Sequence, residues 1–129
     1  MNKRIIITAA FFGAIAVILG AFGAHALKRI LSDYGIEIWN KAVQYQFYHT
    51  LALLFLSTFA RYKNRLINFA SYCFTFGIIL FSGSLYLLAL RDYLQLGGIT
   101  GILGPITPIG GLLFILGWIA LLLAAIRDK

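Results

Sequence analysis

Charge is scarce in this chain. Asp, Glu, Lys and Arg make up 12% of its 129 residues, where a soluble domain carries roughly a quarter. Hydrophobic residues fill 61% of it, and the mean hydropathy is +0.90. That balance excludes an ordinary soluble domain. Acids are scarcest: Asp33, Glu37, Asp92 and Asp128 are all there are, and none falls inside an apolar stretch. A proton-coupled carrier would lack its usual intramembrane carboxylate. A single cysteine, Cys73, excludes an intrachain disulfide and a CxxC redox pair. It reads as a small buried hydrophobe. The net charge of +7 would suggest nucleic acid in a soluble protein. Here the basic residues cluster between apolar runs, which makes them orientation signals in a membrane, with no nucleic-acid partner expected.

What the chain has instead is spanning length. Four stretches, about 5–27, 42–60, 66–90 and 108–126, each approach the roughly 20 residues a helix needs to cross a bilayer. One transmembrane domain over 1–129 is expected. The first stretch imitates a signal peptide, with Lys3 and Arg4 before it and Ala24-His25-Ala26 at its end. Its apolar run exceeds the roughly 7–15 residues of a signal sequence, so it reads as a retained helix. Outside the spans, Lys3, Arg4, Arg61, Lys63, Arg65, Arg127 and Lys129 share one side, seven in all. Lys28, Arg29, Lys41 and Arg91 share the other, with three of the four acids. The positive-inside rule then places both termini in the cytoplasm.

Two connecting segments stand out. Leu27, Ile30, Leu31, Tyr34 and Ile38 recur at helical spacing. Arg29, Asp33, Glu37 and Lys41 follow at i, i+4 steps, which lets neighbouring charges pair. This predicts a short amphipathic helix on the outer surface between helices one and two, with Trp39 at headgroup level. The segment 97–111 holds six glycines, Pro105 and Pro108, and no charge. It predicts a non-helical loop that dips into the outer leaflet or caps the bundle, which protein must then cover. Thr107 before Pro108 fits a helix N-cap.

The polar residues of the spans fall at one depth. Gln44, Gln46, His49 and Thr50 open the second stretch, and each costs free energy in hydrocarbon unless protein or water faces it. Small residues at fourfold spacing, Ala9 with Gly13 and Ala16 with Gly20 and Ala24, suit close helix packing, within the chain or in a dimer. Helix three has two polar edges, Gly77 with Ser84 and Thr75 with Ser82 and Tyr86, so it should lie between two neighbours. His25, Gln46, His49, Ser82, Ser84 and Tyr86 all fall in the outer half and form the candidate ligand-binding pocket. The inner half reads as nearly all apolar.

The chemistry open to these groups is narrow. Two histidines do not complete a zinc site, which takes about three or four protein ligands. No metal site is expected. Ser82-Gly83-Ser84 has no carboxylate to orient a histidine, so no catalytic residue is assigned. No nucleotide fingerprint is present, and no cofactor is expected. Three readings remain. The first is a non-enzymatic membrane protein that holds a lipid, a small amphipathic ligand or a partner helix in the outer pocket. The second is a small channel or transporter built as a homo-oligomer. The third, an enzyme acting on a lipid or quinone, rests only on the histidines.

Four blocks, Gly20–Leu27, Trp39 with Ala42–His49, Phe81–Tyr86 and Gly104–Gly111, resemble the signature of a family of unknown function that includes YwdK and YgdD. The resemblance covers nearly the whole chain in order. It implies a small multi-pass protein of the bacterial inner membrane and no established activity, so it assigns no residue a role. The expected fold is an all-α integral membrane four-helix bundle.

Overall fold

The computed structural model describes residues 2–59 and 64–127, and among the described residues there are helices and short connections but no strand. Four rods form the bundle: α1 (Lys3–His25), α2 (Asp33–Ser57), α3 (Arg65–Leu90) and α4 (Thr100–Arg127). Ala60, Arg61, Lys63, Asp128 and Lys129, which entered the span and charge readings above, lie outside the described residues. Side-chain caps begin three of the rods. Asn2 Oδ1 accepts from the amides of Arg4 and Ile5, Ser32 Oγ from Gly35, and Asn64 Oδ1 from Leu66. Asp33 in the first turn of α2 favours the positive end of that helix.

The four-helix bundle is as expected, but the separate surface helix is not there. Residues 27–29 form a single 3-10 turn, and Asp33 opens a helix that runs unbroken to Ser57. A break near residue 41 would strand up to about four amide donors close to the membrane. Continuity avoids that cost. Packing fixes the segment as well: Trp39 is buried against Gly23, and a Cβ on Gly35 would lie 3.5 Å from the Ala89 carbonyl. Trp39 is therefore a core residue rather than a headgroup anchor. The charge ladder does not close either. Among the described residues the recorded ion pair is Arg91–Asp92 at 3.8 Å, and it is exposed.

The Gly/Pro segment is also helical. α4 starts at Thr100 and holds Pro105 and Pro108 inside it. A proline costs one backbone bond and presses on the carbonyl four residues before it. Those positions are Gly101 and Gly104, which have open space around them, so their carbonyls are free to tilt away from the proline rings. A helix still satisfies most of its own backbone, as a loop at that depth would not. Thr107 is accordingly no N-cap: it sits inside the helix and donates to the Leu103 carbonyl at 3.3 Å. The turn before α4 holds Gln95 at φ 55, where the Leu96 amide closes back on Arg91 O at 2.8 Å.

The rods pack in chain order, α1 on α2, α2 on α3, α3 on α4. Both termini lie at one end, where Ile5, Leu56, Ile67, Phe74 and Ala124 share a core cluster. Leu27, Trp39 and Ala89 form the cluster at the opposite end. The small-residue stripe of α1 is used within the chain. Ala9 and Ala16 are fully buried, Gly13 faces Thr50, and Gly20 faces Val43. Gly23 takes the contact expected of Ala24. α3 lies between two neighbours as its two polar edges predict, and Cys73 is buried and free.

Large apolar side chains cover the outside. Phe11, Val17 and Ile18 of α1, and Leu112, Ile115 and Leu122 of α4, are all exposed. Water would not tolerate so wide an apolar surface; lipid does. α1, α3 and α4 are each long and apolar enough to cross a membrane. α2 is the polar rod they shelter: Gln46, His49 and Thr50 are 2–4% exposed.

Candidate functional site

The middle of α3 departs from the α-helix. Residues Ile78–Ser82 form a π-helical turn, a feature that often marks functional positions. It turns Ser82 fully inward, where its hydroxyl donates to the Ala42 carbonyl at 2.7 Å. One turn on, Tyr86 donates to Gln46 Oε1 at 2.7 Å, and Gln46 Nε2 donates to the Phe12 carbonyl at 2.8 Å. That relay crosses three helices. Trp39 stacks edge-on against Tyr86 and donates to the Leu19 carbonyl at 2.9 Å. On the other edge of α3, Ser84 shares a 2.6 Å hydrogen bond with Thr107 of α4.

His49 belongs to a different neighbourhood. Its Nδ1 lies 2.7 Å from the Tyr45 carbonyl, and its Nε2 accepts the Trp118 indole N–H at 3.1 Å. An indole only donates, so Nε2 must be unprotonated and Nδ1 carries the hydrogen. The two bonds fix a neutral imidazole in one tautomer. Its ring stacks on Phe114 with centroids 3.5 Å apart and planes within 6°.

These aromatics wall a groove of about 780 Å³ between α2 and α4. The two rods have little close backbone approach and meet mainly through side chains. Phe81 of α3 lies between them, Tyr45 and His49 face Phe114 and Trp118, and Tyr48, Leu112 and Ile115 form the rim. Close packing of α3 on α4 holds the groove in place. A Cβ on Gly77 would meet the Phe114 ring, one on Gly117 the Phe74 ring, and one on Gly110 the backbone of Phe81. The groove runs from mid-depth toward the end opposite the termini, the half in which polar residues were expected to gather.

The six predicted site residues are not gathered into one pocket. Among them only His49 lines the groove. Gln46 and Tyr86 bond to each other, while Ser82 and Ser84 tie α3 to opposite neighbours. His25 is exposed at the end of α1. The other five have each found a backbone or side-chain partner, which is worth more than pooling around a shared space. Sequence reasoning missed Trp118 and Phe114. Trp118 carried a signal: an indole N–H at mid-span, far from headgroup level, needs an acceptor.

The polar end beside the termini was missed too. Asn2, Arg4, Thr8, Asn68, Ser71 and Thr75 line a crevice of about 450 Å³ between α1 and α3, where an apolar half was expected.

A family model described as a protein of unknown function, DUF423, matches residues 19–111. A UPF0382 membrane protein of Staphylococcus epidermidis is 46% identical over 125 residues, 97% of each chain. The UPF0382 membrane protein YwdK of Bacillus subtilis is 39% identical over 127 residues, 97% of this chain and 98% of its own. No solved structure matches.

Proposed function

The chain belongs to the DUF423 family of membrane proteins of unknown function, and from that premise we propose that its α2–α4 groove holds one membrane lipid or small amphipathic molecule. The supporting observation is the groove itself. Its volume of about 780 Å³ falls within the range of ligand pockets. Its walls are aromatic and apolar, and its few polar groups are tyrosine hydroxyls and one histidine. Two rods held apart in a bilayer leave a gap, and an empty gap forfeits the dispersion contacts of every atom that lines it. An acyl or isoprenoid chain supplies those contacts. Tyr45 and Tyr48 then offer hydroxyls to a polar head.

The setting we propose is the bacterial cytoplasmic membrane, with both termini in the cytoplasm. The seven-to-four distribution of Lys and Arg supports it. The groove then opens into the outer leaflet. The role is binding rather than catalysis, because neutral His49 is held at both ring nitrogens and has none free for proton transfer.

Native mass spectrometry of the protein released gently from its own membrane tests the proposal. Gly111 lines the groove and has room for a side chain, its Cβ meeting Phe81 at 3.8 Å. Wild type should retain one defined adduct that Gly111→Trp loses. Equal adducts on both proteins would refute it, and a ligand-free dimer that Gly111→Trp dissociates would make the occupant a second copy.

A further inference from the structure

The crevice at the opposite end has a different chemistry from the groove. It lies where α1 and α3 have little close approach, and Leu53 of α2 closes its floor. Donors and acceptors are sorted within it. Thr8, Ser71 and Thr75 commit their hydroxyl hydrogens to the carbonyls of Arg4, Asn68 and Ser71, at 3.0, 2.7 and 2.8 Å. Their oxygens can then only accept. Arg4 brings a guanidinium, always charged, and has no carboxylate partner among the described residues. Asn68 adds an amide N–H₂ and Tyr72 a phenol.

Among the described residues, charge at this end has one sign. Lys3, Arg65 and Arg127 stand at the same end as Arg4. Asp33, Glu37 and Asp92, the acids among the described residues, are all at the other end. One wall is apolar. Ile5 and Phe76 line it, and exposed Tyr72, Phe76 and Ile79 continue along α3 into the membrane at i, i+4, i+7 spacing.

We infer that this crevice binds the headgroup of an anionic glycerophospholipid of the leaflet on the side of the termini. The phosphate meets Arg4, the cation that lines the crevice, and Asn68, one of two side-chain amides there beside Asn2. Headgroup hydroxyls meet the acceptor oxygens of Thr8, Ser71 and Thr75. The acyl chains lie along Phe76 and Ile79. A free phosphate would use the donors and leave the apolar wall and the acceptors without partners. The site is separate from the α2–α4 groove and stands or falls without it.

The test is fluorescence anisotropy of acyl-labelled phosphatidylglycerol and phosphatidylethanolamine, titrated with the full chain in neutral detergent. Wild type should prefer phosphatidylglycerol by about tenfold, because the ammonium of phosphatidylethanolamine offsets its phosphate charge and repels Arg4. Arg4→Gln should remove the preference, and Asn68→Leu should weaken phosphatidylglycerol binding by several-fold. Both side chains are exposed, so both variants should fold, as unchanged melting would show. His49→Ala should leave the preference intact. Equal affinity for the two lipids would overturn the inference, as would a preference that survives Arg4→Gln. Inorganic phosphate displacing the lipid at matched concentration would make this a soluble-anion site and overturn the lipid assignment. Loss of binding in His49→Ala would move the lipid to the other groove.

Discussion

Trp118 donates its indole N–H to His49 Nε2 across 3.1 Å and ties α4 to α2 at mid-depth. The bond fixes the histidine tautomer, sets its ring flat against Phe114 and shapes the inner end of the groove. Replacing Trp118 with Phe keeps an aromatic ring and leaves Nε2 without its donor. Interhelical bonds in membranes average about 0.6 kcal/mol, while a stranded buried acceptor costs about 1–3 kcal/mol. We predict a loss of about 1 kcal/mol in reversible unfolding from detergent. Nitrogen NMR should find the Nδ1–H tautomer in wild type and a mixture in Trp118→Phe. An unaltered tautomer would show that Trp118 does not set it.

The Gln46–Tyr86 bond gives a second prediction. Tyr86→Phe leaves Gln46 Oε1 unpaired in a dry interior and should destabilise by about 1–2 kcal/mol. Combining it with Gln46→Leu should recover part of that loss, because no polar group then remains stranded from that pair. A double-mutant cycle measures the coupling, and additive losses would deny it.

Glycines differ sharply along α4. Gly110→Ala drives a methyl into the backbone of Phe81, which cannot move aside as a side chain does. A cost of about 3 kcal/mol or more is expected, at the upper end for overpacking. Gly104→Ala meets open space and should be neutral or slightly stabilising. Melting temperatures of the two variants check the contrast.

Orientation is predicted from charge. A fluorescent protein fused after Lys129 should fold and fluoresce, and alkaline phosphatase at that position should be inactive. The reverse pair of results would place the termini outside and move the groove to the inner leaflet.

Much of the bundle was legible in the residues. Hydropathy and length gave the rods, and the buried polar face of α2 followed from Gln46, His49 and Thr50 alone. The two edges of α3 gave its neighbours, while the small stripe of α1 marked a packing face without choosing between this chain and a second copy. Boundaries were less legible. Glycine and proline in 97–111 read as a loop because local propensity ignores how dearly a membrane charges for open backbone. Charges over 29–41 read as a surface helix because nothing local shows that Trp39 docks on Gly23 and Tyr86. The π turn left no mark in the periodicity. Depth placed the polar residues in the right half, but not in one pocket, because pairing depends on rotation about each rod. His49 finds Trp118 across 69 positions of chain, a distance no local pattern spans.

Photo-crosslinking tests the central claim most directly. A benzophenone side chain placed at Leu112 faces the groove rim, and one at Leu122 faces the bulk membrane. Irradiation in intact membranes, followed by mass spectrometry, should give one dominant lipid species at position 112 and the membrane's average mixture at position 122. The same mixture at both positions would contradict a ligand-binding groove.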